Sequence, residues 1–356
     1  MTRQLRTDLG VVRFPVALLR CRTCGRRFTL LEALGLGVRQ RRSEHLVRVV
    51  TEAVAETSYG RGGSLAAVSG PPVPRSTAHR WAASVAPLCG PAGPATTLMA
   101  DGTGFKRQPG QRGEVRLVLG FDENHRIQPL GVWAGTDWKD IARDVRRQLA
   151  GQPRPRLLVA DGEERLEKWL GRLTARVQRC QWHFVRQSDV TTWKAGMPKA
   201  ARTALHQRLA RLVGIEVPAE DVELVRPQDR DGLQARLAAA RGELTALAGE
   251  LEQQGYRRAA TYLVRARQQL FSHLELWLET GLVGPRTTSI IESMIRELVR
   301  RLKKIGWNWS DAGATRMGRI VMIRRYDPAA WEEYWQARLD LQNRCQMRIS
   351  SLVRAA

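Results

Sequence analysis

Arg156-Leu157-Leu158-Val159-Ala160-Asp161-Gly162 is the stretch on which the reading turns, because an unbroken apolar run meets a carboxylate and then a glycine. A short continuous run of this kind predicts a strand buried on both faces of a sheet. The aspartate falls at its carboxyl end, the edge where open α/β sheets place their sites. The same pattern occurs once more upstream, where Thr97-Leu98-Met99-Ala100 runs into Asp101-Gly102-Thr103-Gly104. A third acid, Glu292, lies in the helical pattern Thr288-Ser289-Ile290-Ile291-Glu292-Ser293-Met294-Ile295-Arg296-Glu297-Leu298, which follows Gly284-Pro285. Two strand-end aspartates and a helix-borne glutamate are expected to converge on one pair of metal ions, since hard divalent cations take carboxylate oxygens. Each aspartate also has a structural reading: Asp161 as a cap for a helix beginning near Glu163, and Asp101-Gly102 as a turn. Glu163 and Glu164 rank below Glu292, because a helix start favours acids through its macrodipole alone.

Outward from Asp161, periodicity predicts strands over 97–101, 114–121, 129–134, 156–160 and 175–180, with helices over 137–149 and 163–173. Three strands followed by alternating helix and strand is the order of an RNase H-like α/β domain. From about 198 to 282 the chain is rich in Ala, Leu, Arg, Gln and Glu, and Leu233, Leu237, Leu244 and Leu247 recur at helical spacing. That composition predicts an all-α insertion, split by a loop carrying Pro218 and Pro227. The expected fold class is therefore α/β: an RNase H-like domain over 95–190, interrupted by an all-α insertion over 191–284. The domain resumes over 285–356 with the Glu292 helix and ends in a packing helix around Trp331-Glu332-Glu333-Tyr334-Trp335.

Residues 1–42 read as a small knuckle around Arg20-Cys21-Arg22-Thr23-Cys24-Gly25, followed by Leu30-Leu31-Glu32-Ala33-Leu34-Gly35-Leu36. Residues 43–90 read as a helix-turn-helix. Leu46, Val49, Val50 and Val54 share one helical face, Ser64-Leu65-Ala66-Ala67-Val68 follows, and a Gly70-Pro71-Pro72-Val73-Pro74 break leads to a helix capped by Ser76. Arg75, Ser76, Thr77, His79 and Arg80 are the residues expected to reach DNA there, with Trp81 as the core anchor. Pro91-Ala92-Gly93-Pro94 reads as a linker.

The 356 residues exceed one ordinary core, and 58 Lys+Arg against 35 Asp+Glu give a net charge of +23. So many like charges imply a polyanionic partner, and nucleic acid leads. A membrane is disfavoured, because no long uncharged apolar run exists and Arg3, Arg6 and Arg13 interrupt the N-terminus. Five cysteines with one close pair fit a reducing compartment, so a cytosolic, nucleoid-associated protein is expected. After Glu292, Arg296, Arg300, Arg301, Lys303 and Lys304 would form a stripe beside the carboxylate suited to phosphates, or else a solvated helix face. Cys180-Gln181-Trp182-His183 has half a zinc site's spacing, but no second pair lies at finger distance, which favours packing and hydrogen bonding.

Taken in order, Asp101-Gly102, Val159-Ala160-Asp161-Gly162, Cys180-x-x-His183, a helical insertion, Ile291-Glu292 and Arg300-Arg301-Leu302-Lys303-Lys304-Ile305-Gly306 resemble a bacterial insertion-sequence transposase. The similarity is to the Mutator-like DDE superfamily, of the ISKra or ISLre type, and runs from the Cys21-x-x-Cys24 region to Gly306-Trp307-Asn308-Trp309-Ser310. It implies that Asp101, Asp161 and Glu292 bind two Mg²⁺ or Mn²⁺ ions, with Cys180 and His183 in support. It also implies terminal inverted repeats and target DNA as partners of a homo-oligomer. Relatives of this type tend to carry a further metal-ligand pair upstream of the knuckle, and here no Cys or His precedes Cys21, as a late start or a decaying element would leave it. Cys21 and Cys24 are then either a zinc half-site completed by His45 or a second subunit, or a turn with two half-buried thiols. The alternative to an active transposase is a domesticated or inactive DNA-binding descendant; a metal-dependent nuclease without strand transfer is a third reading.

Overall fold

The computed structural model describes residues 2–8, 10–29, 31, 40–66, 72–86, 89–91, 93–217, 227–305 and 308–343. The expectations for Leu30, for Glu32 to Leu36, for Ala67-Val68, for Gly70-Pro71, for Ala92, for Pro218 and for Gly306-Trp307 lie outside the described residues. By contact the chain divides into two compact units, Met1–Leu88 with Arg300–Ala356, and Cys89–Val299.

The first unit opens with two small hairpins, β1 (Thr2–Thr7) with β2 (Gly10–Pro15) and β3 (Leu18–Arg20) with β4 (Arg27–Thr29). Helices α1 (Glu44–Glu56), α2 (Tyr59–Leu65) and α3 (Arg75–Ala83) follow. Ser43 caps α1 by accepting the Leu46 N–H at 3.1 Å, and Leu46, Val47, Val50 and Val54 are buried, so Val47 takes the core place expected of Val49. Helix α2 starts earlier than its apolar residues suggest. Ser58 caps it, and its Gly62 lies so close to α1 that a Cβ there would stand 2.6 Å from Val54 Cγ1 and 2.8 Å from Val54 N. The glycines that hide this helix from a periodicity reading are what allow it to pack. Ser76 is not the cap of α3: Pro74 precedes the helix without a side-chain cap bond, and Ser76 sits inside the first turn. A proline at that boundary already fixes the entry, so no hydroxyl is required there.

The second unit is mixed α/β. Its five-stranded sheet runs in the order β7-β6-β5-β8-β9, with β5 (Thr97–Arg107), β6 (Gln111–Phe121), β7 (Ile127–Ala134), β8 (Leu157–Ala160) and β9 (Arg176–Arg179). β6 runs antiparallel to both β5 and β7, whereas β8 pairs parallel with both β5 and β9. Leu98, Ala100, Leu158 and Ala160 form one core with Trp138, Ile141 and Val145 of α4 (Trp138–Gln148) and Leu166 and Leu170 of α5 (Glu164–Leu170). Side chains alternate across a strand, so Met99 and Asp101 face the other way.

Beyond β9 come α6 (Gln181–Lys194), α7 (Lys199–Val213), α8 (Pro227–Gln253), α9 (Arg257–Ala266) and α10 (Ser272–Thr280). Their shared core holds Leu233, Leu237, Leu244 and Leu247 with Phe184 and Trp277. The segment between α9 and α10 also covers the outer edge of β9: Arg179 N–H donates to Gln269 O at 2.9 Å, Gln178 Nε2 to Leu270 O at 2.9 Å, and Ser272 Oγ to Val177 O at 2.8 Å. The unit closes with α11 (Ser289–Val299), whose Ile291, Met294 and Leu298 are buried and which packs against β5 and β6.

The remaining chain returns to the first unit, contrary to the expectation that 285–356 stay with the sheet. After a π-helical turn, Arg300–Lys304, come α12 (Asp311–Tyr326) and α13 (Pro328–Asn343). Trp331 and Trp335 of α13 are buried, as a packing helix requires. Arg338 Nη2 meets Glu44 Oε2 at 2.7 Å, Trp331 Nε1 donates to Glu52 Oε1 at 3.2 Å, and Arg48 pairs with Glu332, which ties α13 to α1. Among the described residues no helix is long and apolar enough to cross a membrane.

Candidate active site

Asp161 stands directly after β8, where the sequence places it. Its Oδ1 accepts the Glu163 N–H at 2.9 Å in a turn that leads into α5, but Asp161 is not the cap of that helix, since Glu163 stands at the cap position. Asp101 is not at a strand end. β5 continues through it to Arg107 because β6 follows as an antiparallel partner, with Asp101 opposite Leu117. What ends beside Asp101 is the parallel pairing, since β8 accompanies β5 only over Thr97, Leu98 and Met99. Asp101 therefore lies just past the point where β5 loses its β8 neighbour, on the sheet face that α11 covers. Glu292 is carried to that face on the first turn of α11.

The acids perturb one another. Burial first, and then the neighbouring Asp161 carboxylate, push the Asp101 carboxyl up to about 7, with Glu292 adding to the rise and the Gly102 N–H and His183 opposing it. The Gly102 N–H donates to Asp101 Oδ1 at 2.6 Å. A half-buried acid this close to neutrality has other anions beside it and too few donors to offset them.

Glu292 is held by groups from two other parts of the chain. Thr288 Oγ1 donates to Glu292 Oε1 at 3.0 Å, one helical turn away. The same hydroxyl lies 3.2 Å from His183 Nδ1 and 3.3 Å from Cys180 Sγ, and the Thr288 N–H reaches Cys180 Sγ at 3.4 Å. His183 Nδ1 is itself 3.8 Å from Glu292 Oε1. Burial would raise the Cys180 thiol, but hydrogen bonds from His183 and Thr288 outweigh it and lower the pKa. Burial would likewise depress His183, yet Cys180, Asp161 and Glu292 raise it. The Thr288 hydroxyl thus stands between Glu292 on one side and Cys180 and His183 on the other.

Asp161 and His183 also border an open cavity of about 670 Å³ with Glu163, Glu164, Glu167 and Arg179. The Arg179 guanidinium closes over Gly162, whose φ of +98° is a backbone conformation that favours glycine after Asp161. The guanidinium also sits 5.0 Å over the Tyr262 ring, and Nη2 donates to Tyr262 Oη at 3.3 Å. Glu163 is engaged elsewhere, accepting from Trp138 Nε1 at 2.7 Å, while Glu164 is exposed.

The donor set suits a hard divalent cation: three carboxylates, with Asp101 destabilised by the other two. Among the described residues no group of three or more His, Cys, Asp or Glu side chains is drawn together as a ready-made cage. Ions of the Mg²⁺ type keep several waters and need none.

The fold therefore draws Asp101, Asp161, Glu292, Cys180 and His183 into one neighbourhood and leaves the other predicted residues elsewhere. On α3, Arg75, Ser76, His79 and Arg80 are exposed and Thr77 is half-buried, accepting from Arg80 Nη2 at 3.2 Å. Cys21 and Cys24 occupy the β3–β4 turn, closed by Cys21 N–H to Arg26 O at 2.8 Å and Gly25 N–H to Cys21 O at 3.0 Å. Backbone N–H groups of Cys24 and Thr23 lower the Cys21 thiol. His45 is turned to Asp8, with Nδ1 3.2 Å from Oδ1.

The basic stripe is not one helix face, because α11 ends at Val299 and the π-helical turn follows. Arg296 and Lys304 are exposed, but Arg300 pairs with Glu56 at 2.5 Å. Arg301 is only 1% exposed; it donates to Val54 O at 2.8 Å and stacks 4.8 Å over the Trp309 ring. Arg301 is a core residue rather than a phosphate contact. Sequence reasoning missed Thr288 and Arg179. The spacing of Thr288 to Glu292 was the visible signal for the first, and nothing local marked the second. No protein-family model matches this chain, and no curated protein does.

Proposed function

We propose that the protein is a DNA transposase whose carboxylates Asp101, Asp161 and Glu292 hold a pair of Mg²⁺ or Mn²⁺ ions. The observation that carries this is that Asp161 and Glu292, 60 and more residues further along the chain, are brought close enough to Asp101 to act on its charge. Three antiparallel strands followed by two parallel ones, with the first strand at the centre, support an RNase H-like reading of the sheet. The net charge of +23 supports DNA as the partner. Such ions, when bound, stabilise the attacking and the leaving oxygen of an in-line displacement.

The chain's own part is to place the oxygens. Thr288 and His183 fix one Glu292 oxygen, the Glu163 N–H fixes one of Asp161, and the Gly102 N–H fixes one of Asp101. In the first step water attacks a phosphorus at the element end and the bond to the 3′ oxygen breaks, leaving a 3′-OH and a 5′-phosphate. In the second, that 3′-OH attacks a target phosphorus and displaces the target's 3′ oxygen, with one proton released and one taken up. The exposed face of α3 carrying Arg75, Ser76, His79 and Arg80 is the surface proposed for helix-turn-helix-like recognition of the inverted repeats. Two ends held together call for at least a dimer, acting on the chromosome in the cytoplasm.

The test is a labelled inverted-repeat substrate incubated with Mg²⁺ or Mn²⁺. Nicking and strand joining are expected with the wild type, and neither with Asp161→Asn or Glu292→Gln, although both variants retain the DNA in a gel. Specific retention without any nick by the wild type would replace the reading with a non-catalytic DNA-binding descendant, in which Asp161 only accepts a hydrogen bond ahead of α5. Nicks without joined strands would leave a nuclease.

A further inference from the structure

A second cleft of about 400 Å³ opens beside the candidate site, between α6 and α7, and its character is opposite to that of the carboxylate cavity. Trp182, Val185, Arg186, His206, Arg286 and Thr287 are among its lining residues, and no carboxylate is. Trp182 is 49% exposed although indole is among the side chains with most to gain from burial. Arg186, one turn along α6, lies 5.1 Å over its ring, and the His183 ring meets it edge-on at 4.8 Å. Among the described residues Arg186 has no carboxylate partner, whereas Arg286 is answered by Glu216 at 2.7 Å.

Scattered exposed hydrophobics are ordinary on protein surfaces, and Trp193 of the same helix is one, at 62%. Trp182 differs in its setting. Two lining residues of the cleft, Trp182 and Thr287, are the chain neighbours of His183 and Thr288, the pair that holds Glu292. An aromatic face with an unanswered guanidinium and an acid-free apolar floor is the equipment that single-stranded nucleic acid meets on proteins, through stacking and phosphate contact. A paired base keeps its faces inside the duplex stack, so only a frayed or flipped one could enter.

We propose that this cleft takes an unpaired nucleobase of the DNA strand being cut, with Trp182 stacking on the base and Arg186 meeting a flanking phosphate. This rests on the DNA-transposing reading above, and adds that the strand end is opened at the site.

The full chain would be tested with two oligonucleotides, a paired duplex and the same duplex with a short unpaired flap carrying 5-iodouracil. The flap substrate is expected to bind more tightly, and near-ultraviolet light should cross-link the flap to the peptide containing Trp182. Trp182→Ala should weaken flap binding by about 5- to 100-fold, erasing its advantage over the duplex, and Trp182→Phe should recover part of it. A thermal melt equal to wild type would show that the half-exposed position tolerates the change. Equal binding of flap and duplex by the wild type, a cross-link elsewhere, or an undiminished flap preference in Trp182→Ala would overturn the cleft while leaving the DNA reading intact. Binding of neither substrate would overturn both.

Discussion

Asp101→Asn should make the protein more stable. The carboxyl rises from 3.8 in the unfolded chain to about 7 in the fold, chiefly by burial and by Asp161. Because the folded value is the higher one, the associated stability is intact below 3.8 and is lost as pH climbs from there through about 7. At about 1.36 kcal/mol per unit, the loss approaches about 4 kcal/mol at pH 8. Asparagine is nearly isosteric, keeps an oxygen for the Gly102 N–H, and carries no charge to desolvate. Amide hydrogen exchange of peptides covering β5 reads the effect locally, in metal-free buffer, without assuming that both units unfold together. The slowing in the variant should reach as much as about a thousandfold at pH 8 and shrink toward nothing near pH 4. Added Mg²⁺ should protect β5 in the wild type far more than in the variant, since the cation answers the same repulsion. Equal protection of the two proteins at pH 8, or a difference that does not vary with pH, would refute the reasoning.

Thr288→Val removes the hydroxyl shared by Glu292, His183 and Cys180 at nearly constant volume; nicking at limiting Mg²⁺ should fall by about 10- to 100-fold and recover with Thr288→Ser, whereas full activity of the valine variant would show that Glu292 is positioned without it. His273, buried between Gln178 and Ile215 and 3% exposed, is pushed down to about 4 by burial, so its contribution to stability is present above 6.5 and lost as pH falls toward about 4. Urea titrations should show the wild type losing about 3 kcal/mol more than His273→Gln across that window, and parallel curves for the two would count against a neutral buried imidazole.

The sequence was legible where a local rule decided the outcome. β8 is a continuous apolar run and emerges as a fully buried strand; Asp137 caps α4, accepting the Lys139 N–H at 2.9 Å. Asp161 falls where its run predicted. Gly102, Thr103 and Gly104 look like a turn that would end β5, yet pairing with Arg116, Val115 and Glu114 of β6 carries the strand on. Tertiary pairing there overrides weak β-propensity. Helix α2 was hidden by glycines whose use is a contact with α1, and the return of 300–356 to the first unit rests on pairs such as Arg48 with Glu332, 284 residues apart. Arg301 looks like a surface cation in the sequence because composition says nothing of Val54 O or of the Trp309 ring waiting for it. Thr288 gains its role only when Cys180, 108 residues earlier, arrives beside it.

The helices between Lys199 and Thr280 resemble a detour that could be excised and bridged by a linker. The segment that joins α9 to α10 nevertheless finishes the sheet: without Gln269 O against the Arg179 N–H and the Ser272 hydroxyl against Val177 O, β9 would present a bare amide and a bare carbonyl to any passing strand. A shortened chain would thus trade a tidy border for a sticky one and polymerise through it, so the detour behaves as a selvedge woven into the cloth.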